Sequence, residues 1–256
     1  MGTNSKIEWT THTFNPWIGC TMVSSGCINC YAKTTDDRHL FGQVSHWGPG
    51  APRRITSDTN WRQPYRWAKR AEVATERPRV FCASQADIFE DEAPIEARRR
   101  LWKVIGDTYQ FLDWLLLTKR PERILGVMDD DGLNFGFFKK TRCWLGTSVE
   151  NEKTIARVWE ILDVDAGKHF LSCEPLLSSL VIPFCKLEQI DWLICGGESG
   201  PGARRMDPDW ARSLRDQCYE ANVPFFMKQM GSVYGPNKGH ELPDDLNIKQ
   251  FPVRAQ

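Results

Sequence analysis

After residue 78 the chain settles into a repeating alternation of apolar and polar segments. A short apolar run ends in small or polar residues, and an amphipathic stretch follows. The runs are Arg79–Ser84, Trp114–Lys119, Cys143–Ser148, His169–Glu174, Trp192–Gly197 and Pro224–Gln229. They are continuously apolar rather than alternating, as in strands buried on both faces of a parallel sheet. Between them the spacing predicts helices. One opens at Pro94 and carries Leu101, Trp102 and Ile105. Another opens at Asn151, with Ile155, Val158, Trp159 and Leu162 on one face. A third is capped by Asp207, with Pro208 at its first position and Trp210, Leu214 and Cys218 following. A shorter helix is expected after Pro121, and another between Pro64 and Glu76.

Strands alternating with helices imply βαβ units. With an earlier strand before Cys20, the expected fold is α/β: a full or partial (β/α) barrel of parallel strands, of the TIM-barrel kind. A doubly wound open sheet is the alternative. Leu40 to Pro64 reads as loop, and the tail from about residue 232 is polar with little periodicity. With no internal repeat, low-complexity tract or clear linker, residues 1–256 read as a single domain.

Composition narrows the function classes. No run of about 18 apolar residues exists to cross a membrane. The N-terminal segment has no apolar signal core, and Lys6 stands where a myristoylation motif needs Ser or Thr, so a cytoplasmic protein is expected. The 33 Lys and Arg balance 33 Asp and Glu, which gives no support to non-specific nucleic-acid binding. Basic clusters at Arg53-Arg54, Arg98-Arg99-Arg100, Lys119-Arg120 and Arg204-Arg205 read individually as solvated surface. The 11 Trp are expected mostly in the core.

Nine cysteines in a reducing compartment argue against a disulfide framework. Cys82, Cys143, Cys173, Cys185, Cys195 and Cys218 lie in apolar or helical settings, where buried inert thiols are the default. Cys20, Cys27 and Cys30 differ. They form C-x6-C-x2-C on one short loop near 19–32. Three thiolates can hold three irons of a cubane [4Fe–4S] cluster and leave the fourth iron open to another ligand. Zinc is a competing reading, although a structural zinc wants four protein ligands and no second C-x-x-C is present. A redox dithiol at Cys27 and Cys30 would leave Cys20 unexplained. His39 and His46, on the following loop, could supply a further ligand, although ordinary surface histidine is the default reading.

The strand ends carry the remaining chemistry, because parallel barrels place function at the C-terminal ends of their strands. Three ends offer carboxylates, at Glu150, Glu174 and Glu198, and two offer cations, at Lys119 with Arg120 and at Lys228. Both charge signs suit a zwitterionic ligand. Gly196-Gly197-Glu198-Ser199-Gly200 matches neither common phosphate-loop pattern and suggests close backbone approach by a ligand.

Taken together, Ile7-Glu8-Trp9-Thr10, Phe14-Asn15-Pro16-Trp17 and Gly19-Cys20 through Cys30-Tyr31-Ala32 resemble a family of bacteriophage and prophage proteins with a three-cysteine motif. Leu117–Pro121, Gly146–Asn151, Glu174-Pro175-Leu176 and Gly196–Gly200 extend the likeness over nearly the whole chain. The family has no established activity and looks like a divergent relative of the radical S-adenosylmethionine (SAM) enzymes. The resemblance implies a [4Fe–4S] cluster on Cys20, Cys27 and Cys30, whose open iron chelates SAM. It also implies an electron donor, one-electron cleavage of SAM to a 5′-deoxyadenosyl radical, and hydrogen abstraction from a substrate. By strand-end position, Ser148, Glu150, Glu174 and Gly196 are the candidate SAM contacts, and Lys119 and Arg120 candidates for a carboxylate or substrate anion. The chain departs from the common radical SAM pattern twice. The first cysteine gap is six residues rather than three, and Asn29 precedes the last cysteine where an aromatic is usual.

The leading expectation is a SAM-cleaving radical enzyme acting on a nucleic acid or nucleotide in a phage context, with a partner protein encoded nearby. A non-catalytic binding protein stapled by a metal or cluster is the alternative, and cluster-dependent repair or nuclease-like work on DNA a third.

Overall fold

The computed structural model describes residues 5–38, 44–234 and 241–253. Among the described residues nine strands form: β1 (His12–Phe14), β2 (Trp17–Ile18), β3 (Arg54–Ile55), β4 (Arg79–Cys82), β5 (Asp113–Thr118), β6 (Trp144–Ser148), β7 (Lys168–Cys173), β8 (Trp192–Gly196) and β9 (Phe225–Gln229). Seven of them hydrogen-bond in the order β1-β4-β5-β6-β7-β8-β9, and β2 pairs antiparallel with β3. All six sequence-expected strands are present, each within two residues of its expected bounds. The order simply follows the chain, with β1 and β9 at the edges. A doubly wound sheet would reverse direction at a switch point, and this one does not. The expected fold class is realised in its partial-barrel form.

The chain divides into two compact units. The first holds residues up to Met22, Ala32–Leu145 and Val164–Gly167. Its strands β1, β4 and β5 run parallel, with His12 opposite Val80 and Val80 opposite Trp114. Its core gathers Phe14, Val80, Trp114, Leu115 and Leu116 with Leu101 and Ile105 of the helix Ile95–Thr108. Phe14 meets Trp61 and Trp114 edge-on, with ring centroids 5.3 and 5.8 Å apart. Pro64 opens the helix Gln63–Ala71, which buries Trp67, Ala68 and Ala71. The stretch expected as loop before Pro64 contains β3 and a short helix, Asp58–Trp61, capped by Ser57. Two-residue strands carry too little alternation to show in a sequence.

The second unit holds Val23–Tyr31, Gly146–Asp163 and the chain from Lys168 onward. Here β7, β8 and β9 run parallel, with Leu171 opposite Leu193 and Leu193 opposite Phe225. Asp207 caps the helix Pro208–Glu220 through Asp209 N–H, as its position before Pro208 predicts. That helix buries Ala211, Leu214 and Cys218 and leaves Trp210 half-buried. The helix expected from Asn151 starts later. Asn151 and Thr154 close a capping box around a single 3-10 turn, and α-helix runs only over Arg157–Leu162. The tighter turn shifts the helical phase. Arg157, Val158 and Ile161 face inward, while Ile155, Trp159 and Leu162 are half-buried. Among the described residues, no helix is long and apolar enough to cross a membrane.

Candidate functional site

In the first unit Gly19 continues past β2 to bridge Ala86 in parallel. This delivers Cys20 to the C-terminal end of β4. Gly19 has φ of +120°, and a Cβ there would run into the His46 carbonyl, so only glycine suits the position. Two buried ion pairs hold the backbone that follows. Arg120 pairs with Asp87 at 3.0 Å, donates to the Thr21 carbonyl at 2.6 Å and places Nη1 3.8 Å from Cys20 Sγ. Arg53 pairs with Glu90 at 2.8 Å and donates to Thr21 Oγ1, while Glu90 accepts from Thr21 N–H. Asp87 also accepts from Thr118 Oγ1 and from the Lys119 backbone N–H. Lys119 itself is half-buried.

The electrostatics at Cys20 follow from this packing. Burial pushes its thiol up, the Asp87 and Glu90 carboxylates push it further, and Arg120 opposes them. Burial likewise raises Glu90 against the pull of Arg53. His46 is buried, with Nδ1 2.7 Å from Asp36 Oδ1, which fixes its ring. His39 and His240 lie outside the described residues.

In the second unit the segment Val23–Tyr31 carries Cys27 and Cys30. Strand ends hold it at two points. After β6, the buried Glu150 accepts from Ser24 Oγ at 2.9 Å and from Arg157 at 3.0 Å, and Arg157 also reaches the Ser148 carbonyl. Asn151 Nδ2 donates to Ser25 Oγ at 3.2 Å. After β8, Glu198 accepts from Asn29 Nδ2 at 2.9 Å and from the Arg204 side chain and backbone. Glu150 therefore faces the cysteine segment, and Ser148 is buried. Gly26 packs so closely that a Cβ would lie 2.5 Å from Glu150 Oε1. Gly26→Ala is accordingly expected to cost about 1–3 kcal/mol of stability by overpacking and to lower the yield of any metal-loaded form; thermal melts and metal analysis check both.

Glu174 is arranged differently. Its Oε2 accepts from Ser172 Oγ at 3.3 Å, and Lys228 Nζ lies 2.8 Å from Oε1. That second approach is off the hydrogen-bonding direction, so Oε1 retains acceptor capacity. A Cβ on Gly196 would sit 2.8 Å from the same oxygen. Glycine at the end of β8 thus leaves room for a carboxylate and an ammonium side by side.

The donor set is one of thiols, which suits a thiophilic metal centre. Cys20, Cys27 and Cys30 are half-buried and form no disulfide, whereas five of the other six are buried. Burial raises those five, Cys143 and Cys218 to about 12, and keeps them neutral and inert. Among the described residues, no three His, Cys, Asp or Glu side chains are arranged as a ready-made metal site. The fit is therefore one of donor chemistry and chain spacing.

Sequence reading missed the buried arginines. Arg53 and Arg98, expected at the surface, are buried with Glu90 and Asp131, and Arg204 is half-buried on Glu198. Adjacent arginines look alike in sequence whether or not a distant carboxylate meets them.

A family model described as "Protein of unknown function (DUF5131)" matches residues 4–247. No curated protein matches the chain. Among solved structures, the chain is similar to a Cys-to-Ser variant of spore photoproduct lyase, at 14% identity and a TM-score of 0.52 over 88% of this chain and 78% of that one. Spore photoproduct lyase complexed with dinucleoside spore photoproduct gives the same values: 14% identity, TM-score 0.52, and 88% and 78% coverage. At this identity the likeness shows the fold.

Proposed function

The chain belongs to the DUF5131 family, and we propose that it is a radical SAM-type iron–sulfur enzyme. The observation that carries this reading is three half-buried cysteines outside any disulfide, spaced C-x6-C-x2-C, on the segment that follows the first strands of a parallel β/α sheet. The fold likeness to spore photoproduct lyase, a radical SAM enzyme, supports it. In this reading Cys20, Cys27 and Cys30 hold a [4Fe–4S] cluster. When bound, the cluster supplies the open iron and the electron for cleaving SAM.

The chain's own residues then divide the labour. Arg120 sets a positive charge beside Cys20 and favours its thiolate, while Asp87 fixes the guanidinium. Glu150 holds the segment that bears Cys27. Glu174, Gly196 and Lys228 are the best-placed groups for the amino and carboxylate ends of SAM, because Glu174 Oε1 retains acceptor capacity and Lys228 stands beside it. By strand-end position alone, Ser148, Glu150, Lys119 and Arg120 remain candidate contacts for SAM or a substrate anion. The proposed substrate class is a nucleic acid or nucleotide, in keeping with the phage-type motif pattern and with the dinucleoside bound by the similar lyase. An electron donor is required, and a partner protein encoded nearby is part of the proposal.

Anaerobic reconstitution tests this directly. The expected result is about four irons and four sulfides per chain and an electron paramagnetic resonance signal that changes on adding SAM. Zinc in their place, or a cluster whose signal ignores SAM, would move the protein to the alternative of a metal-stapled binding protein.

A further inference from the structure

The Gly196–Gly200 motif reads in sequence as a place where a ligand approaches backbone. The structure gives its carboxylate another occupation. Glu198 is buried at the end of β8. It accepts from Asn29 Nδ2 at 2.9 Å, from Arg204 N–H at 2.8 Å, from Arg204 Nε at 2.9 Å and from Arg204 Nη2. Arg204 Nη2 also donates to the Ser25 carbonyl at 2.9 Å, and Asn29 donates a second time, to the Gly202 carbonyl at 2.9 Å. One ion pair thus grips the cysteine turn at Ser25 and at Asn29. Those two residues flank Cys27, and Asn29 precedes Cys30.

Within the turn, Cys27 N–H donates to the Ser24 carbonyl at 3.0 Å, Ile28 to Ser25 at 3.4 Å, and Cys30 to Cys27 at 3.3 Å. The contacts from Glu198 and Arg204 add constraints from outside the turn to these short-range bonds. Asn29 is also the residue that departs from the aromatic of the common radical SAM pattern. Its amide presents donors, and the two carbonyl and carboxylate acceptors around it account for that choice.

We infer that Glu198 and Arg204 are positioning residues that act through Asn29 and Ser25 to set where Cys27 and Cys30 present their thiols. This rests on the three-cysteine reading above and assigns the Gly196–Gly200 motif to bracing the metal-binding turn. Groups that orient metal ligands from behind typically change metal affinity by about 10- to 100-fold when lost.

The test uses the full chain with Asn29→Ala, Asn29→Asp, and the double variant Asn29→Asp with Glu198→Gln. Asn29→Asp keeps the shape but sets a second carboxylate against Glu198. Circular dichroism and melting of the metal-free proteins establish that each is folded. Two readouts follow: the alkylation rate of Cys27 and Cys30 by N-ethylmaleimide in the metal-free chain, with Cys20 as internal reference, and the lifetime of the reconstituted cluster under chelator. Both single variants are expected to speed alkylation of Cys27 and Cys30, leave Cys20 unchanged and shorten cluster lifetime by about tenfold or more. The double variant, which restores a donor–acceptor pair, is expected to recover part of each. Wild-type alkylation rates in both single variants would overturn the inference. So would tolerance of Asn29→Asp alongside failure of Asn29→Ala, since that pattern marks a steric role. If the unmodified chain takes up no cluster, the functional reading fails by itself, and the alkylation rates still decide whether the brace exists.

Discussion

Arg98→Ala is expected to lower stability by about 3–5 kcal/mol, the cost of leaving a buried carboxylate without its cation. Arg98 lies on the inner face of the helix Ile95–Thr108. Its guanidinium meets Asp131 with two bonds, of 2.6 and 3.1 Å, and the Asp131 side chain is fully buried. Trp102 Nε1 donates to the same carboxylate at 2.7 Å. The variant would strand Asp131 between the indole and the more distant Arg99. Urea denaturation measures the loss, and a change within about 0.5 kcal/mol, as for an ordinary surface substitution, would show that the pair contributes nothing.

The same pair makes stability depend on pH with a definite sign. Burial alone would raise Asp131, but the hydrogen bonds of Arg98 and Trp102 and the charges of Arg98 and Arg99 outweigh it and hold the carboxyl below its ordinary value. A depressed carboxyl contributes its full stabilisation above the unfolded-state value of about 3.9. The contribution is lost as pH falls through the lower folded-state value. Asp131→Asn is expected to flatten that acid limb.

The second large effect concerns chemistry rather than folding. Cys27→Ala is expected to abolish cluster retention, so that iron falls from about four per chain to background and the SAM-sensitive signal disappears. The fold should survive. The core of the second unit is built from Phe170, Leu171, Trp192, Leu193, Ile194, Phe225 and Phe226, all buried on strands that owe nothing to the cysteine turn. Circular dichroism checks this. A variant that unfolds instead would identify the metal as a structural staple, since folding and metal binding would then be one event.

These expectations draw unequally on sequence and structure. The β/α alternation was legible because strand and helix periods are properties of short stretches: Trp114–Lys119 and Trp192–Gly197 each announce a doubly buried strand without reference to any other part of the chain. Asp207 before Pro208 likewise marked a helix start from two residues alone. Where local geometry competed, the reading drifted, as at Asn151, whose capping box closes a 3-10 turn and rotates the following helix.

The spacing of Cys20, Cys27 and Cys30 singled out three thiols for the same reason, since closeness along the chain needs no tertiary argument. The groups that hold that loop were not legible. Asn29 and Glu198 are 169 residues apart, Ser24 and Glu150 are 126 apart, and Thr21 and Arg120 are 99 apart. Glu150 and Arg120 stood out by position at strand ends, and sequence offered them as ligand contacts. Packing turns their charged groups toward the loop's own backbone and side chains. By itself the sequence determined the strand–helix order and the thiol spacing, because both are set by residues a few positions apart. Only the tertiary structure decided which charges meet, because a buried carboxylate takes whichever cation the fold brings to it.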